Sequence, residues 1–368
     1  MQTISLILIL IFGSYFITTI GLIFVRTQSI RTNFFDEPEG RSSHKNEVPT
    51  LGGISFFISF MFLIAGTYGL GNTDEIISLV LAISVMFITG LVDDIYNVSA
   101  KKKLAGQFIA AVIILLIAKF RIQSLYGIFG VHELSKIISI PFTILLVLAI
   151  VNSFNLIDGI DGMASIVGIV IFSSFGLLFY SVKDYFYLFF CLSSISMLVA
   201  FLRYNFSSKK KMFMGDTGAL ILGVCFSFLT LKILSQKPNN SFLIGTEDAN
   251  IIIVLMSIFF IPLIDVIRVI ILRILRKKAI FSPDRYHVHH VIIDTGISHK
   301  KASILIGIVN ILVITTMLMA VNLFSTLTCV LILLFLNIVF VLIIFNLNKN
   351  YFALRAKIKL RHIYQQKK

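Results

Sequence analysis

Apolar residues run in blocks of membrane length along almost the whole chain, near 4–25, 51–70, 75–92, 104–120, 137–155, 160–180, 185–202, 217–235, 250–272, 302–322 and 326–346. An α-helix rises about 1.5 Å per residue and the hydrocarbon core of a bilayer is about 30 Å thick, so each block predicts a spanning helix. The pattern predicts an all-α polytopic membrane protein, a bundle of about eleven transmembrane helices. No Pro/Ser-rich linker, low-complexity tract or strong internal repeat divides the blocks. Residues 1–346 read as one domain, followed by a basic tail, 347–368. The first block starts at Ile4 with no Lys or Arg before it and is too long for a signal-peptide core, which predicts a retained helix.

Composition agrees with the pattern. Hydrophobic residues make up 57% and charged residues 14% of the 368, against roughly 25% charged in a soluble domain. The three cysteines, Cys191, Cys225 and Cys329, lie inside apolar blocks without C-x-x-C spacing, which argues against a disulfide framework or a thiolate metal site. Charge then sets the orientation. Segments 26–49, 93–103, 203–216, 268–301 and 347–368 fall on one side and hold 26 of the 32 lysines and arginines. The positive-inside rule makes that side cytoplasmic, with the N-terminus outside and the C-terminus inside. The net charge of +14 is accounted for by topology and by attraction to anionic headgroups and phosphates, so nucleic acid is not needed as a partner.

The polar clusters all fall on that cytoplasmic side. Asn152-Ser-Phe-Asn-Leu-Ile-Asp-Gly-Ile-Asp-Gly162 joins two spans and carries Asp158 and Asp161 at a spacing that would share a helix face. Gly90-Leu-Val-Asp93-Asp94 places adjacent carboxylates at a helix C-terminus, where they repel each other and the helix dipole disfavours them. A divalent cation, or a proton shared with a substrate, would relieve them; Lys101, Lys102 and Lys103 follow and could hold an anionic headgroup. Asp216, in Phe213-Met-Gly-Asp216-Thr, stands at a helix N-terminus fit for an Mg²⁺ ligand beside a diphosphate, although a plain N-cap is the bland alternative. Phe213 beside two methionines offers a face for a nucleobase or an interfacial anchor. Lys45 and Thr50 lead into Gly52 and Gly53, where a phosphate could approach the backbone. In Phe281-Ser-Pro-Asp-Arg285-Tyr-His287-Val-His289-His290, Ser282 and Pro283 predict a helix start, Arg285 a phosphate clamp, and His287 and His290 a shared face. Zinc at these histidines is disfavoured, since one face holds only two ligands and no cysteine is near. Asp265 pairs by spacing with Arg268. There is no P-loop and no G-x-G-x-x-G after a strand. Together the groups describe a nucleoside-diphosphate site on the cytosolic face.

Five of these blocks, V-P-T-L-G-G, Asp93-Asp94, N-L-I-D-G-I-D-G, F-M-G-D-T-G and F-S-P-D-R-Y-H-V-H-H, stand in the order in which they occur in the polyprenyl-phosphate N-acetylhexosamine-1-phosphate transferases. The chain resembles this family, glycosyltransferase 4 of the MraY/WecA type, from Lys45 to His290. The histidine block resembles the WecA branch, whose products begin O-antigen and related cell-surface polysaccharides. Asn97 stands where the muramoyl-pentapeptide branch has Lys, which argues against that branch's peptide-bearing substrate.

The resemblance implies a bacterial inner-membrane enzyme that needs Mg²⁺, with Mn²⁺ as a substitute. It would transfer N-acetylhexosamine 1-phosphate, by default GlcNAc-1-phosphate, from a UDP-sugar to undecaprenyl phosphate with release of UMP. Asp216 and Asn155 would ligate the metal, Phe213 would stack on uracil, and Asp158 and Asp161 would hold the nucleoside. Lys45, Arg285, His287, His289 and His290 would neutralise the diphosphate. Asp93 and Asp94, helped by Lys102 or Lys103, would position or deprotonate the acceptor phosphate. A homodimer is a family-level expectation. The alternatives are a 6-deoxy UDP-sugar donor, a transporter, which would place its ionisable groups nearer the midplane and show repeated halves, and a non-catalytic scaffold.

Overall fold

The computed structural model describes residues 2–32, 35, 48–235, 247–279 and 286–366. Among them the chain is helical apart from turns and one isolated bridge between Ser124 and Glu133. The helices are α1 (Gln2–Arg31), α2 (Gly53–Thr67), α3 (Thr73–Tyr96), α4 (Ala100–Ile113), α5 (Lys136–Asn155), α6 (Met163–Ser181), α7 (Tyr185–Asn205), α8 (Gly215–Leu234), α9 (Asn250–Ile258), α10 (Phe260–Leu275), α11 (Val288–Asp294), α12 (His299–Leu323) and α13 (Thr326–Gln366). The block at 326–346 and the basic tail form one continuous helix.

By length and composition, nine of the described helices can cross a membrane, or up to ten if the bent pair α9–α10 is one span. Eleven were expected, and the difference lies in two places. The block 104–120 yields only the 14-residue α4, with Lys101, Lys102 and Lys103 in its first turn, before the helix loosens into a π segment at Ile114–Ala118. The block 250–272 breaks at Phe259, where α9 and α10 are bent by 76°. Pro262 has no N–H to give the ladder and is tolerated in the first turn of α10. Asn310 of α12 serves the backbone freed at the break: its Nδ2 donates to Ile258 O at 3.2 Å and its Oδ1 accepts from Ile261 N at 3.4 Å.

The core is built around α8, which packs against α2, α3, α5 and α6. Except for Lys232, every residue from Thr217 to Leu234 is buried, as a helix apolar on all sides requires. Phe226 meets Phe154 and Phe172 with ring centroids 4.8 and 4.7 Å apart. The three cysteines are buried packing residues. Lys232 stands at the end of α8 remote from Asp216. It is paired with Glu75 of α3, both carboxylate oxygens lying 2.8 Å away, while the Tyr187 hydroxyl of α7 donates to Glu75 at 2.5 Å. This cluster ties α3, α7 and α8 together at that end.

Candidate active site

At the other end of the bundle α3 finishes and α2 begins beside the start of α8, and a glycine on each, Gly90 of α3 and Gly53 of α2, lets it meet α8. A Cβ at Gly90 would lie 2.4 Å from Thr217 Cα, and one at Gly53 would lie 2.3 Å from Gly218 N. Gly52 N donates to Phe213 O at 3.1 Å, Gly53 N to Met214 O at 2.8 Å, and Phe213 N to Pro49 O at 2.8 Å. The Gly52-Gly53 pair therefore serves a backbone-to-backbone contact within the protein, where sequence had predicted room for a phosphate. Thr50 lies in the same segment, its carbonyl accepting from Gly52 N at 2.9 Å. Lys45 and Arg285 lie outside the described residues, as does the predicted helix start at Ser282 and Pro283.

The adjacent carboxylates are relieved in different ways. Asp94 accepts from Asp216 N at 2.7 Å, Thr217 N at 3.1 Å and Thr217 Oγ1 at 2.5 Å, so it caps α8 from a neighbouring helix. Those bonds give it a positioning role. Asp93 accepts from Val98 N at 2.9 Å and pairs with Lys103 at 2.8 Å. The same Lys103 ammonium lies 3.3 Å from Asp216 Oδ2, and Asn155, the last residue of α5, donates its amide to Asp216 Oδ1. Four helices thus bring Asp93, Lys103, Asn155 and Asp216 together. Lys101 and Lys102 are exposed. Beneath them, Gln107 and Asn152 exchange amide hydrogen bonds of 3.2 and 2.6 Å, fixing α4 to α5. Asn97 closes α3 in the left-handed conformation, φ 48°, which Asn adopts more readily than most residues and which gives this position a local reason for its residue.

Residues 156–162 form a turn, so Asp158 and Asp161 do not share a helix face. Their environments diverge. Asp161 pairs with Lys211 at 2.7 Å and with His299 Nδ1 at 3.4 Å, and its carbonyl accepts from Ser303 Oγ at 2.7 Å. Burial would raise its pKa, but the bonds from His299 and Lys211 outweigh that and hold it below its ordinary value. Asp158 has no such partner among the described residues, and burial, then the charges of Asp216, Asp94 and Asp161, push it up to about 7. Asn205 fastens the turn to the next loop: its Oδ1 accepts from Gly162 N and its Nδ2 donates to Met212 O at 2.9 Å. Phe213 is half-buried between the buried Met212 and Met214, with the Lys211 ammonium 5.3 Å from its ring centroid. Lys211, Asn205 and His299 are residues that the motif analysis missed. Lys211→Met should therefore raise KM for a nucleotide substrate several-fold while sparing the fold, since His299 remains as a partner for Asp161; initial rates against substrate concentration would measure it.

The histidine block starts α11 at its Val288, which leaves His287 just outside the helix. The expected shared face of His287 and His290 is replaced by a parallel stack of His287 on His289, centroids 5.8 Å apart, with His290 tilted against His289 at 4.3 Å. His287 Nδ1 lies 2.9 Å from Asp265 Oδ2, and Arg268 Nη2 lies 2.8 Å from Asp265 Oδ1, which bears out the spacing pair Asp265–Arg268. His289 is buried against the 156–162 turn; a Cβ on Gly159 would lie 2.1 Å from its Nε2. Burial first, and then the neighbouring His290, lower the His289 pKa to about 3. The unfolded chain takes up that proton as pH falls below the ordinary value of 6.5, whereas the folded chain does not until about 3. Relative to His289→Gln, the wild-type protein should therefore lose thermal stability between pH 7 and pH 5, while Asp158, whose raised pKa acts with the opposite sign, contributes equally to both; thermal unfolding of the two proteins at a series of pH values would register the difference.

Asp93 and Asp216 share the one Lys103 ammonium, and Asp94 bonds the backbone of Asp216 beside them, an acid excess that a divalent cation would balance. Among the described residues no group of three or more His, Cys, Asp or Glu side chains could hold a metal ion by itself. Mg²⁺ does not require one, because it keeps water and substrate phosphate ligands beside one or two carboxylates. The residues present fit it.

The fold and site define a polytopic membrane protein with an acid-rich cluster at one end of its bundle. Glycosyl transferase family 4 is the family whose sequence profile matches, over residues 76–234, the stretch from α3 to the end of α8. A probable undecaprenyl-phosphate N-acetylglucosaminyl 1-phosphate transferase of Bacillus subtilis is 30% identical over 289 residues, 77% of this chain and 76% of its own. The undecaprenyl-phosphate alpha-N-acetylglucosaminyl 1-phosphate transferases of Salmonella typhi and Escherichia coli K12 are 29% and 28% identical over 301 and 303 residues, each match covering 79% of this chain and 78% of the relative. The chain belongs to glycosyl transferase family 4.

Proposed function

We propose that the protein transfers N-acetylglucosamine 1-phosphate from a UDP-sugar to undecaprenyl phosphate, forming a lipid diphosphosugar and releasing UMP. The observation that carries this reading is the meeting of Asp93, Lys103, Asn155 and Asp216 at one end of the helices, in a chain whose relatives bear that activity in their names. Acids gathered at one edge of the bundle suit a headgroup reaction better than transport, which would call for ionisable groups near the midplane.

In this reading an oxygen of the lipid phosphate attacks the β-phosphorus of the UDP-sugar. The bond from that phosphorus to the bridging oxygen breaks and UMP leaves with the electron pair. Phosphoryl transfer of this kind is mostly positioning and charge neutralisation. Mg²⁺ held by Asp216 and Asn155, with Asp93 beside them, would supply positive charge for the diphosphate and the leaving group. Lys103 adds a second cation there. Phe213 offers a ring for uracil, Asp158 an acceptor for a nucleoside N–H or O–H, and His287 and His290 hydrogen-bonding nitrogens near the diphosphate. Lys45 and Arg285 are further phosphate partners in the reading. The protein sits in the bacterial inner membrane with this end and the C-terminus in the cytoplasm, in keeping with the distribution of lysine and arginine.

The test is UMP release by purified protein given undecaprenyl phosphate, Mg²⁺ and either UDP-GlcNAc or a 6-deoxy UDP-N-acetylhexosamine. Lipid-dependent release with UDP-GlcNAc is expected. Release with the 6-deoxy sugar alone would keep the chemistry and change the donor, and no release with either UDP-sugar would end the proposal.

A further inference from the structure

The Asp265 carboxylate, buried on α10, gathers three partners. Its Oδ1 accepts from Arg268 Nη2 at 2.8 Å and from Val288 N at 2.9 Å, and its Oδ2 lies 2.9 Å from His287 Nδ1. Arg268 also donates to Tyr286 O. One turn of α10 therefore fastens three consecutive residues, Tyr286, His287 and Val288, and Val288 begins α11. We propose that Asp265 is a positioning residue for the transfer: it holds His287 with its proton on Nδ1, so that Nε2 is offered to a substrate O–H as a hydrogen-bond acceptor. The inference rests on the transferase reading for the identity of that substrate.

The tautomer follows from donor inventory. An ionised carboxylate only accepts, so a neutral imidazole bonded to it through Nδ1 must carry its proton there and keep its lone pair on Nε2. The adjacent Arg268 guanidinium, itself buried, keeps Asp265 in the charged form that the argument needs. Among the described residues Nε2 has no hydrogen-bond partner. A lone-pair nitrogen repels a fully ionised phosphate oxygen but accepts from a hydroxyl. Its substrate partner is thus an O–H, either of the UDP-sugar or of the singly protonated lipid phosphate.

The experiment reads ¹⁵N shifts of histidine-labelled protein in nanodiscs, with His287→Gln assigning the His287 signals. The wild-type protein should show His287 as the Nδ1–H tautomer, and finding Nε2–H would overturn the proposal even if no variant folds. Asp265→Asn presents an amide N–H in place of one oxygen and should invert the tautomer. It should lower kcat by about 10²–10⁴-fold, the usual contribution of a positioned acid or base, with KM for the UDP-sugar little changed. Loss of activity with the tautomer unmoved would mean a merely structural residue and would overturn the positioning role. Adding UDP-GlcNAc or undecaprenyl phosphate separately should shift the Nε2 signal with one of the two, naming the source of the O–H; no shift with either overturns the acceptor role. Because the tautomer is read without turnover, absence of transfer in wild-type protein would sink the proposed reaction and leave this inference to its own result.

Discussion

Asp216→Asn should lower the transfer rate about 10³-fold, roughly 4 kcal/mol of barrier, while the protein folds as before. The expectation rests on which atoms the substitution changes. The start of α8 is held by the backbone N–H groups of residues 216 and 217 on Asp94, and those bonds do not involve the Asp216 side chain. What disappears is the negative charge that faces Lys103 and Asn155. A neutral amide there would hold a hard cation less tightly than a carboxylate, and the diphosphate would develop its charge with less compensation. Single-turnover transfer by the variant, beside its thermal midpoint, checks both halves. A rate within tenfold of wild type would remove Asp216 from the metal and from the chemistry.

Gly90→Ala should have the second-largest effect, and through the backbone. Its Cβ would stand 2.4 Å from Thr217 Cα, 2.7 Å from Thr217 N and 3.0 Å from Asp216 C, none of which is the end of a flexible side chain. The first turn of α8 must then move away from α3, stretching the bonds by which Asp94 caps it. Overpacking of this kind costs about 1–3 kcal/mol, and the upper end applies where only backbone can yield. A lowered thermal midpoint, together with a loss of activity larger than the stability loss explains, is expected. Gly69→Ala, with nothing within 4 Å of the added Cβ, should change neither and serves as the control.

The two substitutions also mark what could be read from the chain alone. Asp216 was legible because its signals are local: an acid among small residues just ahead of an apolar block predicts a helix N-terminus, and α8 begins there. The Asp265–Arg268 pair was legible for the same reason, being one turn apart. Gly90 was not, since an ordinary glycine near a helix end reads the same whether or not another backbone crosses it. Nor were Lys211 and Asn205, whose partners Asp161 and Gly162 lie 50 and 43 residues away. Nothing in the spacing connects them.

Periodicity located the apolar blocks but could not tell a span from a bent pair. The block at 250–272 is apolar on both sides of Phe259, and its break depends on Asn310 of α12, which satisfies the backbone groups freed there. Asp158 and Asp161 show a further limit. A three-residue spacing implies one face only if the segment is helical, and the two glycines of the D-G-x-D-G sequence let a turn form that gives Asp161 its partner Lys211 and leaves Asp158 in a different environment. The histidine block misled in the same way, because the helix begins one residue after His287.

The measurement that tests the central claim most directly follows the β-phosphorus. Purified protein in nanodiscs with undecaprenyl phosphate and Mg²⁺ would be given UDP-GlcNAc labelled with ³²P at the β position. The account predicts that the label enters the lipid fraction in step with unlabelled UMP release, and that neither occurs with Asp216→Asn. Label remaining in water-soluble products while the lipid stays unlabelled, in protein shown to be folded, would contradict it.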